Sequence, residues 1–223
     1  MRYATLALML CLVASSSIAQ IQPGQRRTLE PVGEYAQIDT RLVKETIDLF
    51  SKGSEEERVA RVKDIRANPQ NYAPPVFYLL SRVLFQSGLK DEAAFWFYAG
   101  QLRARYDANR CADPSAAQAV ASLNDSFGGP INAYMFQQLP KLEALIPKVV
   151  EWDERTAHNY DHRWINLSGM NAVMASLGKD AGKEAPSLSL PKERWPQIAE
   201  DTRRDYLNGF RQALAKAKQG AAK

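Results

Sequence analysis

The two histidines of the chain, His158 and His162, lie four residues apart. On a helix, this spacing places both imidazoles on one face. Asp161 lies between them, and two histidines with one carboxylate form a common zinc ligand set. The segment is not a His-Glu-x-x-His motif, because Asn159 stands where that motif has its general base. One hypothesis is therefore a small hydrolase or metal-dependent enzyme that uses His158, Asp161 and His162.

The neighbouring residues favour two other interpretations of this segment. Asp161 can pair with Arg163 or cap a helix end. In that case the segment has a structural role. Tyr160, His162, Arg163 and Trp164 can equally form a surface that binds a partner or ligand. A zinc site needs three or four protein ligands, and the acidic residues here already have basic neighbours. We therefore predict no metal and no cofactor, and the candidate binding residues are Tyr160, Asp161, His162, Arg163 and Trp164.

Cys111 and the aromatic run from Phe95 to Tyr98 are the other candidates for chemistry or binding. Cys111 adjoins Arg110 but has no histidine nearby in sequence, which favours a packed thiol over a nucleophile. Trp96 and Tyr98 belong to four consecutive aromatic residues, which point all round a helix. They either line a ligand groove or form part of the core. The sequence contains no phosphate-binding glycine loop and no nucleophile elbow, so a non-enzymatic protein is the favoured prediction.

The aromatic run lies within a predicted helical hairpin over residues 74–107. Gly88 stands between two helical patterns, where a left-handed residue commonly ends a helix. Asp91 and Glu92 then occupy the first turn of the second helix, where the helix dipole favours negative charge. Apolar or small residues recur at helical spacing in both helices: Phe77, Leu80, Leu84, Ala93, Phe97 and Gly100.

This spacing resembles one tetratricopeptide or Sel1-type repeat of about 34 residues. Leu80, Leu84, Gly88, Ala93 and Phe97 occupy the family's large, large, glycine, alanine and aromatic positions. The sequence departs from the family at one position, where a serine replaces the usual glycine between the two leucines, and no proline closes the repeat. The resemblance implies stacked helical hairpins that present a surface to proteins or peptides. The alternative is a helical hairpin unrelated to that family.

Residues 1–19 have the pattern of a secretory signal peptide. Arg2 precedes an apolar stretch over residues 4–13, which is shorter than the roughly 20 residues of a membrane span. Small residues at Ser17 and Ala19 provide a cleavage site. We predict cleavage after Ala19, a periplasmic or secreted location, and no integral membrane segment afterwards. Cys111 is then the one cysteine left, so packing rather than a disulfide must stabilise the fold.

Glycine, proline and capping residues divide the remaining chain into helical patterns, which predict an all-α fold of packed, repeat-like hairpins. Ser54 and Glu57 form a capping box. The pair Gly128 and Gly129 is predicted to end one helix, and Pro147 to kink or split another. The predicted parts are a flexible leader (20–37), a helical domain (38–178), a linker (179–190) and a long C-terminal helix (191–219) packed on the domain.

Charge and composition narrow the classes of partner. The chain has 29 Lys and Arg against 25 Asp and Glu, a formal net charge of +4, which is too small to indicate nucleic-acid binding. The favoured prediction is an exported, non-enzymatic binding or adaptor protein whose partner is another protein or peptide in the cell envelope. An immunity-type inhibitor of a toxin in that compartment is one specific form of this prediction.

Overall fold

The computed structural model describes residues 29–179 and 187–221. The predicted signal peptide, residues 20–28 of the predicted leader and residues 180–186 of the predicted linker lie outside the described residues. The described residues form an all-α fold, as the sequence predicts. Their one extended pairing is an isolated antiparallel bridge between Cys111 and Ser189.

The α-helices follow one another with short connections. They are α1 (Arg41–Lys52), α2 (Glu55–Ala67), α3 (Pro74–Gln86), α4 (Lys90–Asn109), α5 (Gln118–Phe136), α6 (Leu139–Arg155), α7 (Met170–Ser176) and α8 (Trp195–Ala221). Short 3-10 helices occur at Gly33–Gln37, Pro69–Asn71, Pro114–Ala117, His162–Ser168 and Lys192–Arg194. None of the described helices is both long enough and apolar enough to cross a membrane.

The hairpin of α3 and α4 lies at the centre of the core. Gly88 has a φ of +83° and so provides the left-handed turn between the two helices. Leu80, Ala93 and Phe97 are completely buried. The helices approach closely at Gly100, where an added Cβ would lie 3.1 Å from the Cβ of Phe77. The hairpin itself is present, and its relationship to tetratricopeptide or Sel1-type repeats stays a prediction.

Helix α5 runs through Gly128 and Gly129, where the sequence predicts a helix end, and through Pro130, which follows them. The physical reason is packing: an added Cβ at Gly128 would lie 2.9 Å from Phe97 Cζ, so the small residue lets α5 approach α4. Ile131 and Met135 continue the buried face beyond Pro130. Buried contacts on both sides of the proline stabilise the helix more than the loss of one backbone hydrogen bond destabilises it.

Helix α6 likewise continues through Pro147, which the sequence predicts to kink or split it. Leu142 and Ile146 before the proline and Val149 after it are buried in one core cluster. Among the predicted helix ends, the capping box is confirmed, because Ser54 accepts from the Glu57 amide and Glu57 accepts from the Ser54 amide.

Parts of the predicted leader and linker are packed against the domain. Tyr35 and Ile38 are each 7% exposed and cluster with Ala172 of α7 and with Leu188. The Leu188 carbonyl accepts from the backbone amide of Ala112. The predicted leader thus contains a short 3-10 helix over Gly33–Gln37, and the end of the predicted linker is hydrogen-bonded to the domain.

Helix α8 packs along α4 and α6. Thr202, Tyr206 and Leu214 are its buried residues, each at most 5% exposed. The Tyr206 hydroxyl donates to the Tyr98 carbonyl at 3.1 Å, which joins α8 to the middle of α4. Packing of the long C-terminal helix on the domain thus has both an apolar and a polar component.

Candidate functional site

His158 and His162 do not lie on one helical face. His158 precedes the 3-10 helix that begins at His162. Its Nε2 lies 3.0 Å from Oδ1 of Asp153, whereas Nε2 of His162 lies 2.8 Å from Oγ of Ser189. The described residues contain no group of three or more His, Cys, Asp or Glu side chains that could hold a metal ion. The predicted alternative of a metal site at His158, Asp161 and His162 is therefore not formed in this arrangement.

Asp161 organises the start of this 3-10 helix. Its carboxylate accepts from the Arg163 backbone amide at 3.0 Å and from Nε and Nη2 of Arg163 at 2.9 and 2.7 Å. It also accepts from the Asp39 amide at 3.0 Å, which ties the start of α1 to this loop. Burial opposes ionisation, but the Arg163 and backbone hydrogen bonds hold the pKa of Asp161 below its ordinary value. Asp161 and Arg163 therefore stabilise the start of this 3-10 helix.

A buried ionic cluster lies beneath the loop. Asp153 of α6 accepts from Nε of Arg103 at 3.0 Å and from Nε of Arg203 at 2.8 Å, in addition to its contact with His158. Burial alone would raise the pKa of Asp153, but His158 and the two guanidinium groups lower it to about 2. The ionised carboxylate of Asp153 thus joins α4, the loop that contains His158, and α8.

Asp107 forms a second buried polar centre. It accepts from Nη2 of Arg110 at 2.6 Å, from Nε1 of Trp164 at 2.7 Å and from the Tyr160 hydroxyl at 3.1 Å. Complete burial raises the pKa of Asp107 above its ordinary value, although Arg110 and Trp164 oppose the shift. Two of the predicted binding residues, Tyr160 and Trp164, therefore donate hydrogen bonds inside the protein. A third, His162, has an internal hydrogen bond with Ser189.

The buried ionic contacts of Arg103, Asp107, Asp153 and Arg203 were not predicted from the sequence. The pairs Arg103–Asp153 and Asp153–Arg203 each join residues 50 positions apart, and no local pattern reveals such a contact. One signal was available: Arg103 and Asp107 follow Gly100 at spacings of three and seven, on the buried face of α4. Charged residues at core positions predict a buried ion pair.

The remaining predicted candidates belong to the core. Trp96 is 5% exposed, and its ring centroid lies 5.3 to 5.6 Å from those of Phe77, Phe95 and Trp152. Cys111 is 6% exposed, and burial raises the pKa of its thiol, as expected for a packed cysteine. Tyr98 is 1% exposed, yet it lines a pocket described below.

Among the surface concavities of the described residues, two are candidate sites for a partner or ligand. The first, the α2–α3 groove, has a volume of about 440 Å³. Its floor is apolar and its margin is mostly basic. The lining residues are Glu55, Arg58, Val59, Val62, Lys63, Arg66, Val83, Leu84, Ser87 and Leu89.

The second concavity, the α4–α8 pocket, has a volume of about 370 Å³ and is bounded by α4, α5 and α8. It combines aromatic rings with amide and charged groups. The lining residues are Tyr98, Gln101, Arg105, Asn132, Phe136, Asp205, Tyr206, Gly209, Phe210 and Ala213.

Comparisons with known proteins place the chain in no family. It is similar to an uncharacterised protein of Haemophilus influenzae, with 29% identity over 135 residues, which are 59% of this chain and 49% of that protein. The chain thus spans about half the length of the curated relative it matches. No family model and no solved structure matches the chain.

Proposed function

We propose that this protein is an exported, non-enzymatic binding protein, and that its α2–α3 groove holds an acidic, amphipathic segment of another protein in the cell envelope. The single observation that carries the proposal is the pairing of an uncovered apolar floor with a basic margin in this groove. Export rests on the signal pattern of residues 1–19.

The floor of the groove offers apolar area to a partner. Val59 and Leu89 are 46% and 48% exposed. Helix α2 has a single buried residue, Ile65, so most of its surface is free to contact another chain. An amphipathic helix that lays its apolar face in such a groove gains affinity from the area that both partners bury.

The margin of the groove selects an acidic partner. Arg66 is already paired with Glu92, whose carboxylate accepts from Arg66 Nε at 2.6 Å. Arg58 donates to the Gly53 carbonyl at 3.0 Å. Within the part of the chain that the structure describes, Arg58 and Lys63 have no acidic partner. Their charge is available to carboxylates at the edge of a bound segment, which would give specificity and a faster association rate.

The proposal is tested by a photo-reactive amino acid placed at Val59 and, as a matched control, at Met170, an exposed apolar residue of α7. In cells, we expect a defined adduct from position 59 and none from position 170. The partner peptide attached at position 59 should be acidic and amphipathic. Lys63→Glu should abolish the adduct, whereas Lys216→Glu on α8 should leave it intact. Equal adducts from both positions, or an adduct insensitive to Lys63→Glu, would exclude the groove.

Immunity-type inhibition is a specific form of this function. If the cross-linked partner is a toxin that acts in the envelope, cells that export the toxin should survive with the wild-type protein. They should die with the Lys63→Glu variant, provided both proteins accumulate equally. Survival with Lys63→Glu would contradict inhibition through the groove.

A further inference from the structure

The α4–α8 pocket is chemically different from the α2–α3 groove and shares no lining residue with it. We propose that this pocket binds a small carboxylate with an aromatic or branched apolar body. The inference goes beyond the proposed function, because it assigns a second site with a different class of ligand.

The first argument comes from Arg105, which is exposed at the pocket. Its guanidinium carbon lies 5.7 Å from the ring centroid of Tyr206, an arrangement that fixes the cation over an aromatic face. In the described residues, Arg105 has no hydrogen bond and no ion pair. The neighbouring carboxylate, Asp205, is engaged by Arg204 at 3.2 Å. A bound carboxylate would therefore meet an arginine with its donors available.

The polar atoms around Arg105 are held in place by internal hydrogen bonds. Gln101 donates to Asn124 at 3.0 Å and accepts from the Tyr206 hydroxyl at 3.0 Å. The Asn132 Oδ1 atom accepts from the Tyr98 hydroxyl at 3.0 Å, and the Asn132 side chain forms part of the pocket wall. With these side chains held by one another, the guanidinium of Arg105 is the group with available donors, and it favours an anion over a cation or a neutral ligand.

The apolar part of the ligand would contact aromatic rings. The ring of Phe210 lies edge-on to Tyr98 and to Tyr206, with centroid distances of 5.2 and 5.0 Å. Phe136 on α5 is 41% exposed and forms another wall. Pockets for small molecules commonly combine such apolar walls with a few placed polar groups.

Gly209 provides an independent observation. It lies inside α8, where glycine costs about 1 kcal/mol relative to alanine. An added Cβ would meet no atom within 4 Å, so close packing does not explain the glycine. Because Gly209 lines the pocket, a larger side chain at this position would fill the space that a ligand uses.

The test compares naphthylacetate with its uncharged counterpart, naphthylacetamide, on the purified full-length protein by NMR titration of backbone amides. We expect the acid to perturb the amides around Tyr98 and Gly209 and to bind about tenfold more tightly than the amide, the effect of one charge-assisted contact. Arg105→Gln should remove this preference. Arg82→Gln is the matched control, since Arg82 is an exposed arginine 4.9 Å from the Phe127 ring on another face.

A second pair of variants tests occupancy of the pocket. Gly209→Leu should abolish binding of both compounds, whereas Gly220→Leu, at an open glycine near the C-terminal end of α8, should not. The assignment would be overturned by equal binding of acid and amide, by an unchanged preference in Arg105→Gln, or by perturbations confined to other surfaces. None of these outcomes bears on cross-linking at the α2–α3 groove.

Discussion

Replacing Asp153 by asparagine is expected to destabilise the protein and to change how its stability depends on pH. Near neutral pH, the variant leaves Arg103, whose side chain is fully buried, without its carboxylate. Removing one partner of a buried ion pair typically costs about 3–5 kcal/mol. Arg203 and His158 lose their contacts with the same carboxylate, so a loss within this range is expected.

The pH dependence follows from the pKa of Asp153, which falls from an ordinary 3.8 to about 2 in the folded protein. A depressed carboxyl pKa stabilises the folded state above the unfolded pKa, and this contribution is lost as the pH falls through the folded pKa. The shift corresponds to about 2 kcal/mol. The gap in unfolding free energy between wild type and Asp153→Asn should therefore narrow by about that amount between roughly pH 5 and pH 2.

Urea unfolding followed by far-ultraviolet circular dichroism over this pH range measures the gap. Asp91→Asn serves as the control, because Asp91 is an exposed carboxylate paired with Lys141 and its loss should matter little. Should Asp153→Asn fail to fold, Arg203→Gln removes one of the charges and should show a smaller gap that narrows in the same direction. A gap that stays constant with pH would refute an ionised Asp153 as the centre of the cluster.

Other predictions concern packing, titration and processing. Gly100→Ala should lower the free energy of unfolding by about 1–3 kcal/mol through overpacking, whereas Gly209→Ala should raise it by up to about 1 kcal/mol; urea unfolding distinguishes the two. Burial and nearby cations lower the pKa of His162 to about 4, so its ring resonances should stay those of a neutral imidazole until the pH approaches 4, with or without a chelator. Intact mass of the exported protein should correspond to a chain that begins at Gln20.

Local patterns in the sequence predict the helical architecture well. Ser54 and Glu57 act within four residues of each other, and Gly88 provides its turn through its own backbone, so their effects are readable without knowledge of the fold. The helix end predicted at Gly128 and Gly129 is absent from the structure, and α6 is not split at Pro147. Tertiary packing determines whether the helix continues at these positions. Helix propensities of single residues do not include that packing.

The candidate sites were harder to predict for the same reason. The spacing of His158 and His162 suggests convergence only if the intervening chain is helical, and Asp161 instead starts a 3-10 helix at that point. The α4–α8 pocket combines Arg105, Asn132 and Gly209 from three helices. Each of these residues looks ordinary in its own segment, and their chemistry depends on the packing of α8 against α4.

The buried cluster around Asp153 and the α4–α8 pocket both require that α8 packs against the domain. Variants that weaken the cluster should therefore also affect ligand binding. Arg203 joins α8 to Asp153, and the Tyr206 hydroxyl joins it to the Tyr98 carbonyl of α4. Weakening the first contact should loosen one wall of the pocket. The α2–α3 groove contains no residue of α8, because its lining residues belong to α2, to α3 and to the turn that follows α3. Arg203→Gln should therefore reduce binding of naphthylacetate while cross-linking at Val59 persists, and loss of both together would mean that the variant disrupts the whole fold.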